Sequence, residues 1–192
     1  MKKKPKFLLW LVVKLNDQSM QIEILQLTEG AKKAKGTTVV IDVFRAFSTA
    51  CYLFAAGASR IIPVELVEEA LRLKEQIPDA ILLGERNEKK VEGFDFGNSP
   101  SHLAYHNFNG ATIIMTTSSG TKGLMNATGA DEILTGSFVN AGTIIRYLKG
   151  RNPQNISLVS MGYEGKDLPR KTHFWQNILE QFYWENLPIF IR

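Results

Sequence analysis

One cysteine, Cys51, stands in 192 residues, so no internal disulfide can form. That scarcity fits a reducing cytoplasm, the expected location, rather than a disulfide-stapled secreted domain. Cys51 lies in the apolar run Ala50-Cys51-Tyr52-Leu53-Phe54-Ala55-Ala56, where a thiol reads as a small packed hydrophobe. A cysteine nucleophile with an arginine six residues on is excluded, because position 57 is Gly. Histidine is scarce too. His102, His106 and His173 have no metal-ligand or triad spacing, and His102 and His106 read as surface or capping residues. The P-loop pattern G-x-x-x-x-G-K-[ST] is absent, and an Asp-x-Asp nucleophile motif fails at Asp42, where Phe44 holds the second slot.

Also missing is the apolar run of ~20 residues that a membrane span requires. Phe7–Val13, behind Lys2, Lys3, Lys4 and Lys6, imitates a signal peptide, but no small-residue cleavage site follows. Residues 1–19 are expected to be an extension outside the fold, with Met20 as the natural start. The net charge of +4 comes from the same end: residues 1–36 hold eight lysines against three acids, and residues 37–163 hold eleven basic against twelve acidic side chains. A near-neutral body offers no nucleic-acid footprint, and neither nucleic acid nor membrane is an expected partner.

What is present is a succession of apolar runs of strand length, near 22–27, 37–43, 60–64, 80–84, 111–116, 132–135 and 155–160. Several are continuous rather than alternating, as in strands covered on both faces. Helical patterns separate them. In 65–77, Leu66, Ala70, Leu73 and Ile77 share one face, between Pro63 and Pro78. Segments 47–57, closed by Gly57, 119–129, and 138–149, closed by Gly150, are further helices. This alternation predicts a layered α/β/α fold with a largely parallel or mixed sheet.

Chemistry-bearing residues gather where strands end, which is where open α/β sheets place their sites. After the Thr37–Val43 run come Asp42, Arg45, Ser48 and Thr49. An Asp on a buried strand needs a partner. It is either a structural pair with Arg45 or a helix cap involving Ser48 or Thr49, or a metal-binding carboxylate beside an anion-binding arginine. Glu85 and Arg86 repeat the pattern after Ala80–Gly84, followed by Asp95 and then by Asn98 and Ser99, which are placed to cap a helix opening at Pro100. Lys89, Lys90 and Glu92 read as a solvated loop. Thr116-Thr117-Ser118-Ser119-Gly120-Thr121 ends a third strand and reads as a donor-rich cradle for phosphate oxygens. Ser137 and Asn140 mark a weaker fourth.

Taken together and in this order, VVIDVFRAFSTA (39–50), LLGERNEKKVEGFDFGNSP (82–100), IIMTTSSGTKGL (113–124) and ILTGSFVNA (133–141) resemble the 2-phosphosulfolactate phosphatase (ComB-like) family. The likeness runs from about Met20 to Gly165, implying one domain over 20–165 with an atypical tail at 166–192. It implies a magnesium-dependent acid phosphatase that cleaves 2-phosphosulfolactate to sulfolactate and phosphate, a step of coenzyme M synthesis. On that reading Asp42, Glu85 and Asp95 supply magnesium ligands. Arg45 and Arg86 bind the anionic substrate. Ser48, Asn98, Ser99, Thr117, Ser118, Ser119, Gly120, Thr121, Ser137 and Asn140 line the substrate site. The nucleophile is an activated water or Asp42 itself, and a homodimer is compatible with the pattern. Two departures stand out. The family's usual Thr-Thr-Asn-Gly-Thr is here Thr117-Ser118-Ser119-Gly120-Thr121, and the aromatic tail beyond Gly165 does not match. Two competing readings follow from these departures and from the cradle: a binding protein for a small phosphorylated or sulfonated acid, and an inactive truncated member.

Overall fold

The computed structural model describes residues 21–162. The expected extension 1–19, the tail 166–192 and His173 lie outside these residues. In chain order the elements are β1 (Gln21–Gln26), α1 (Leu27–Ala31), β2 (Gly36–Ile41), α2 (Ala46–Ala55), β3 (Arg60–Pro63), α3 (Val67–Gln76), β4 (Ile81–Arg86), β5 (Lys89–Lys90), α4 (Pro100–Leu103), β6 (Thr112–Thr116), α5 (Gly120–Asn126), β7 (Ala130–Gly136), a 3₁₀ turn (Phe138–Asn140), α6 (Ala141–Arg151) and β8 (Asn155–Ser160). The α/β class is as expected, but the strands divide between two four-stranded sheets. One runs β1-β8-β2-β7, all parallel; the other runs β3-β6-β4-β5, parallel except for the antiparallel β5. The chain starts the first sheet, builds the second, then returns to finish the first.

Strand alternation explains how the two sheets share a core. Val40 faces a central cluster with Phe47 and Leu53 of α2, Leu83 of β4, Ile113 and Met115 of β6, and Met161. Its neighbours Val39 and Ile41 point the other way, onto Ile144 and Leu148 of α6. In the second sheet Leu83 turns inward, while Leu82 and Ile114 meet Ala70 of α3. Both faces of these strands are covered, which is why they read as continuous apolar runs. Each such side chain contributes about 1.5–3 kcal/mol on burial.

Local departures from the sequence reading have local causes. β1 stops at Gln26, because Leu27 takes φ 58° and α1 begins there. α6 passes through Gly150 to Arg151, and Asn152, at φ 46°, provides the left-handed exit expected of Gly150. Lys89 and Lys90 are exposed as expected but form β5, reached by a tight turn in which Asn87 and Glu88 both have positive φ. α4 opens at Pro100, yet neither Asn98 nor Ser99 caps it: Ser99 makes no capping bond, and its hydroxyl pairs with that of Ser101 at 3.1 Å. His102 and His106 are exposed and do not share a helix, since α4 ends at Leu103. Cys51 is half-buried rather than a core thiol.

Candidate active site

The carboxyl ends of β2, β4, β6 and β7 carry the residues singled out above, Asp42 among them. It follows β2, donates its amide to the Gly136 carbonyl at 3.1 Å, and is buried. Its carboxylate accepts the amides of Ala46 and Gly120, the first residues of α2 and α5. A helix N-terminus favours an anion, and this one carboxylate serves two of them. Space enforces the arrangement. A Cβ on Gly120 would lie 2.7 Å from the Ala46 Cβ and 2.8 Å from Asp42 Oδ2, so position 120 has no room for a side chain. Burial pushes the Asp42 carboxyl up to about 6; the Ala46 amide opposes this, the negative charge of Glu85 adds to it, and the Gly120 amide and Arg45 oppose it.

Arg45 occupies the cap position of α2 and is half-buried. Among the described residues it forms no ion pair within 4 Å with Asp42 and no side-chain hydrogen bond. Its charge acts on Asp42 only at longer range, so a structural Asp42–Arg45 pair is not formed. Nor do the hydroxyls cap α2: Ser48 Oγ donates back to the Val43 carbonyl at 3.2 Å, and Thr49 Oγ1 is buried without a partner among the described residues.

Glu85 is held quite differently. Ser118 N–H donates to Oε1 at 2.7 Å, while Ser118 Oγ and the Glu88 amide reach Oε2 at 3.1 and 3.0 Å. Arg86 donates to the carbonyls of Glu85 and Glu65, each at 2.7 Å, and to Thr116 Oγ1 at 2.8 Å. Thr116 Oγ1 in turn donates to the Glu65 carbonyl at 3.1 Å.

The hydroxyl-rich turn after β6 is mostly self-satisfied. Thr117 and Thr121 bond each other through side chain and backbone, at 2.8 Å from the Thr117 amide to Thr121 Oγ1 and 3.1 Å from the Thr121 amide to Thr117 Oγ1. Both Ser118 donors go to Glu85, and the Gly120 amide goes to Asp42. Ser119, buried at the cap position of α5, keeps its amide and hydroxyl unengaged among the described residues. Ser137 and Asn140 likewise satisfy each other in a capping box, at 2.8 Å from the Ser137 amide to Asn140 Oδ1. Asn98 is buried, with Oδ1 unpartnered among the described residues. It lies two residues beyond Phe96, which bridges Leu83 in parallel.

Asp95 does not join the other two carboxylates. It is exposed and accepts the Leu82 amide at 2.8 Å, three residues back along β4 from Glu85, about 10 Å at the usual rise. No group of three or more acidic, histidine or cysteine side chains placed to hold a metal occurs among the described residues. Two groups escaped the sequence reading. Glu65, whose carbonyl receives Arg86, follows β3 as Asp42 follows β2, and that placement was the available signal. The Glu88 amide had none, because its role depends on a turn conformation.

With this geometry in place, comparison decides the family. The 2-phosphosulpholactate phosphatase family matches residues 22–168. The chain belongs to that family. It is 45% identical over 130 residues to a probable 2-phosphosulfolactate phosphatase of Carboxydothermus hydrogenoformans, covering 67% of this chain and 54% of the relative. A protein of the same name in Thermotoga petrophila is 40% identical over 130 residues, covering 68% and 55%. Another in Clostridium acetobutylicum is 38% identical over 151 residues, covering 77% and 64%. The chain thus spans about half the length of the first two relatives. Asp42, Glu85 and the turn at 116–121 all lie within the family match.

The family resemblance implies magnesium, and the donor set at Asp42 and Glu85 fits it. The two carboxylates are near enough for the charge of one to raise the pKa of the other, and a cation would relieve that repulsion. Magnesium needs only one or two protein carboxylates, the rest being water and substrate oxygens. Asp95 is not part of that set.

Proposed function

We propose that this protein is a magnesium-dependent phosphatase that hydrolyses 2-phosphosulfolactate to sulfolactate and phosphate, the reaction type of coenzyme M synthesis, in the cytoplasm. One observation carries the reading. A buried, charge-strained carboxylate, Asp42, lies at the N-termini of α2 and α5 beside Glu85, while Arg45 and Ser119 keep donors unengaged among the described residues. Phosphoryl transfer asks a protein chiefly for positioning and for neutralisation of charge on the phosphoryl oxygens. Asp42 and Glu85 would hold magnesium, which when bound neutralises those oxygens and activates a water. Arg45 and the Ser119 amide and hydroxyl would bind the anionic oxygens, and Asn98 would offer its amide. Ser118 and the Glu88 amide keep Glu85 oriented. Attack by water and attack by Asp42 both fit this arrangement.

The test is phosphate release from racemic 2-phosphosulfolactate by the full chain, with magnesium and with EDTA. Metal-dependent release is the expected result. Saturable binding of the same compound without release would replace hydrolysis by capture, and neither binding nor release would overturn both readings.

A further inference from the structure

Arg86 reads in the sequence as a second substrate-binding arginine, and the structure gives it other partners. β3, β6 and β4 lie side by side in one sheet, with Gly84 level with Thr116 and Pro63 level with Met115. From the end of β4 the Arg86 guanidinium bonds its own strand at the Glu85 carbonyl, crosses to Thr116 Oγ1 on β6, and reaches the Glu65 carbonyl beyond β3. Thr116 Oγ1 closes the network by donating to the same Glu65 carbonyl. Three of the five guanidinium N–H groups are thereby engaged, all with uncharged protein acceptors. The two strands tied together here supply both halves of one contact: β4 carries Glu85, and β6 leads to Ser118, which grips the Glu85 carboxylate through amide and hydroxyl.

We propose that Arg86 is a positioning residue that pins the carboxyl ends of β3, β6 and β4 and so fixes the Glu85 carboxylate, rather than a group that binds substrate. The proposal rests on the phosphatase reading for its kinetic consequence but not for its structural one. A planar, multidentate guanidinium suits this place, because an ammonium cannot reach three acceptors in a fixed fork.

The test uses the full chain with Arg86→Lys and, as a second variant, Thr116→Val, which removes the shared hydroxyl without touching any charge. Kinetics of magnesium-dependent phosphate release are measured beside hydrogen exchange of segments 84–90 and 116–120. Both variants are expected to lower kcat about 10–100-fold, the usual effect of losing a group that orients a metal ligand. KM should stay within about two-fold, and exchange should quicken in both segments. A raised KM with kcat and exchange unchanged in Arg86→Lys would overturn the proposal in favour of substrate binding, and unchanged kcat and exchange in both variants would overturn it outright. If the wild-type chain releases no phosphate, the phosphatase reading fails alone, and the exchange data still decide the role of Arg86.

Discussion

Two strand ends in this protein carry the same pair of side chains, an acid with an arginine close behind, and the fold treats them in opposite ways. At the end of β4, Glu85 accepts three protein hydrogen bonds and Arg86 donates three. After β2, Asp42 is buried against two helix N-termini and raised to about 6, while Arg45 makes no side-chain hydrogen bond among the described residues. The first pair is built into the framework. The second is left able to change partners. Buried charge that its surroundings do not fully satisfy is a mark of functional sites, because an ion or substrate can supply what is missing. On the proposed reading, Glu85 is a metal carboxylate held rigidly by the protein, whereas Asp42 and Arg45 are the groups with more left for a ligand to satisfy.

The largest way to break that comparison is Asp42→Asn. Magnesium-dependent phosphate release is expected to fall by at least about 10²–10³-fold, the scale of losing a principal charge-stabilising group. Stability should move the other way. Because the folded pKa of Asp42 lies above the ordinary 3.8, the folded state holds this proton more tightly than the unfolded one. Stability from this group is therefore full below about pH 3.8 and is lost as pH rises to about 6, a penalty on the order of 2–3 kcal/mol. In EDTA at pH 8 the Asn variant should melt roughly 5 °C higher, and the gain should vanish near pH 4. A lower melting point at pH 8 would show that the Asp42 carboxylate stabilises the fold.

Next in size is Arg45→Gln. Losing a charge-assisted contact to an anion costs about 1.5–3 kcal/mol, so KM should rise about 10–100-fold. The melting temperature should hold, because no side-chain hydrogen bond of Arg45 to a described residue is removed. A marked loss of melting temperature would place Arg45 in the framework beside Arg86.

Ser118→Ala comes third. It removes one of three donors to Glu85 but leaves the Ser118 amide in place, so thermal denaturation should show a loss of about 0.5–1.5 kcal/mol and kinetics a smaller fall in kcat. Smallest at the site is Asn140→Ala. It breaks the capping box with Ser137 at a cost of about 1 kcal/mol in stability, with KM unchanged. A raised KM would return Asn140 to the substrate-binding set.

Much of this architecture was legible beforehand, for physical reasons. The continuous runs at 37–43 and 155–160 form buried strands because both of their faces are covered, and burial on two faces leaves no polar alternation to mislead. α3 ends before Pro78, and α2 ends before Gly57, whose φ of 97° is closed to most side chains. The short pieces were not legible. α1 has five residues and no side-chain cap, and β5 has two residues behind a turn without glycine. Local signals of that size fall below what propensity can separate from loop.

At the site, residue types and strand ends could be named in advance, but the satisfaction of each donor could not. Thr116-Thr117-Ser118-Ser119-Gly120-Thr121 reads as an open cradle. In the fold Thr117 and Thr121 satisfy each other, Ser118 serves Glu85, and Ser119 alone keeps its side-chain donor unengaged among the described residues. The same limit applies to Asp95, which sequence proximity groups with Glu85 and whose carboxylate in the fold accepts the Leu82 amide, three residues back along β4.

By itself, then, the sequence determined the α/β class, the order of strands and helices, the family and the roster of strand-end side chains. Those properties rest on local periodicity, on turn chemistry and on motifs short enough to read along the chain. Only the tertiary structure decided that the strands form two sheets, that Gly120 and Ala46 bring two helix N-termini to one carboxylate, and that Arg86 bonds three neighbouring acceptors while Arg45 makes no side-chain hydrogen bond among the described residues. Those outcomes depend on pairings between residues distant in the chain, and each N–H or O–H group has one proton to give. Which acceptor receives it is settled by distances that exist only once the sheets have closed around their common core.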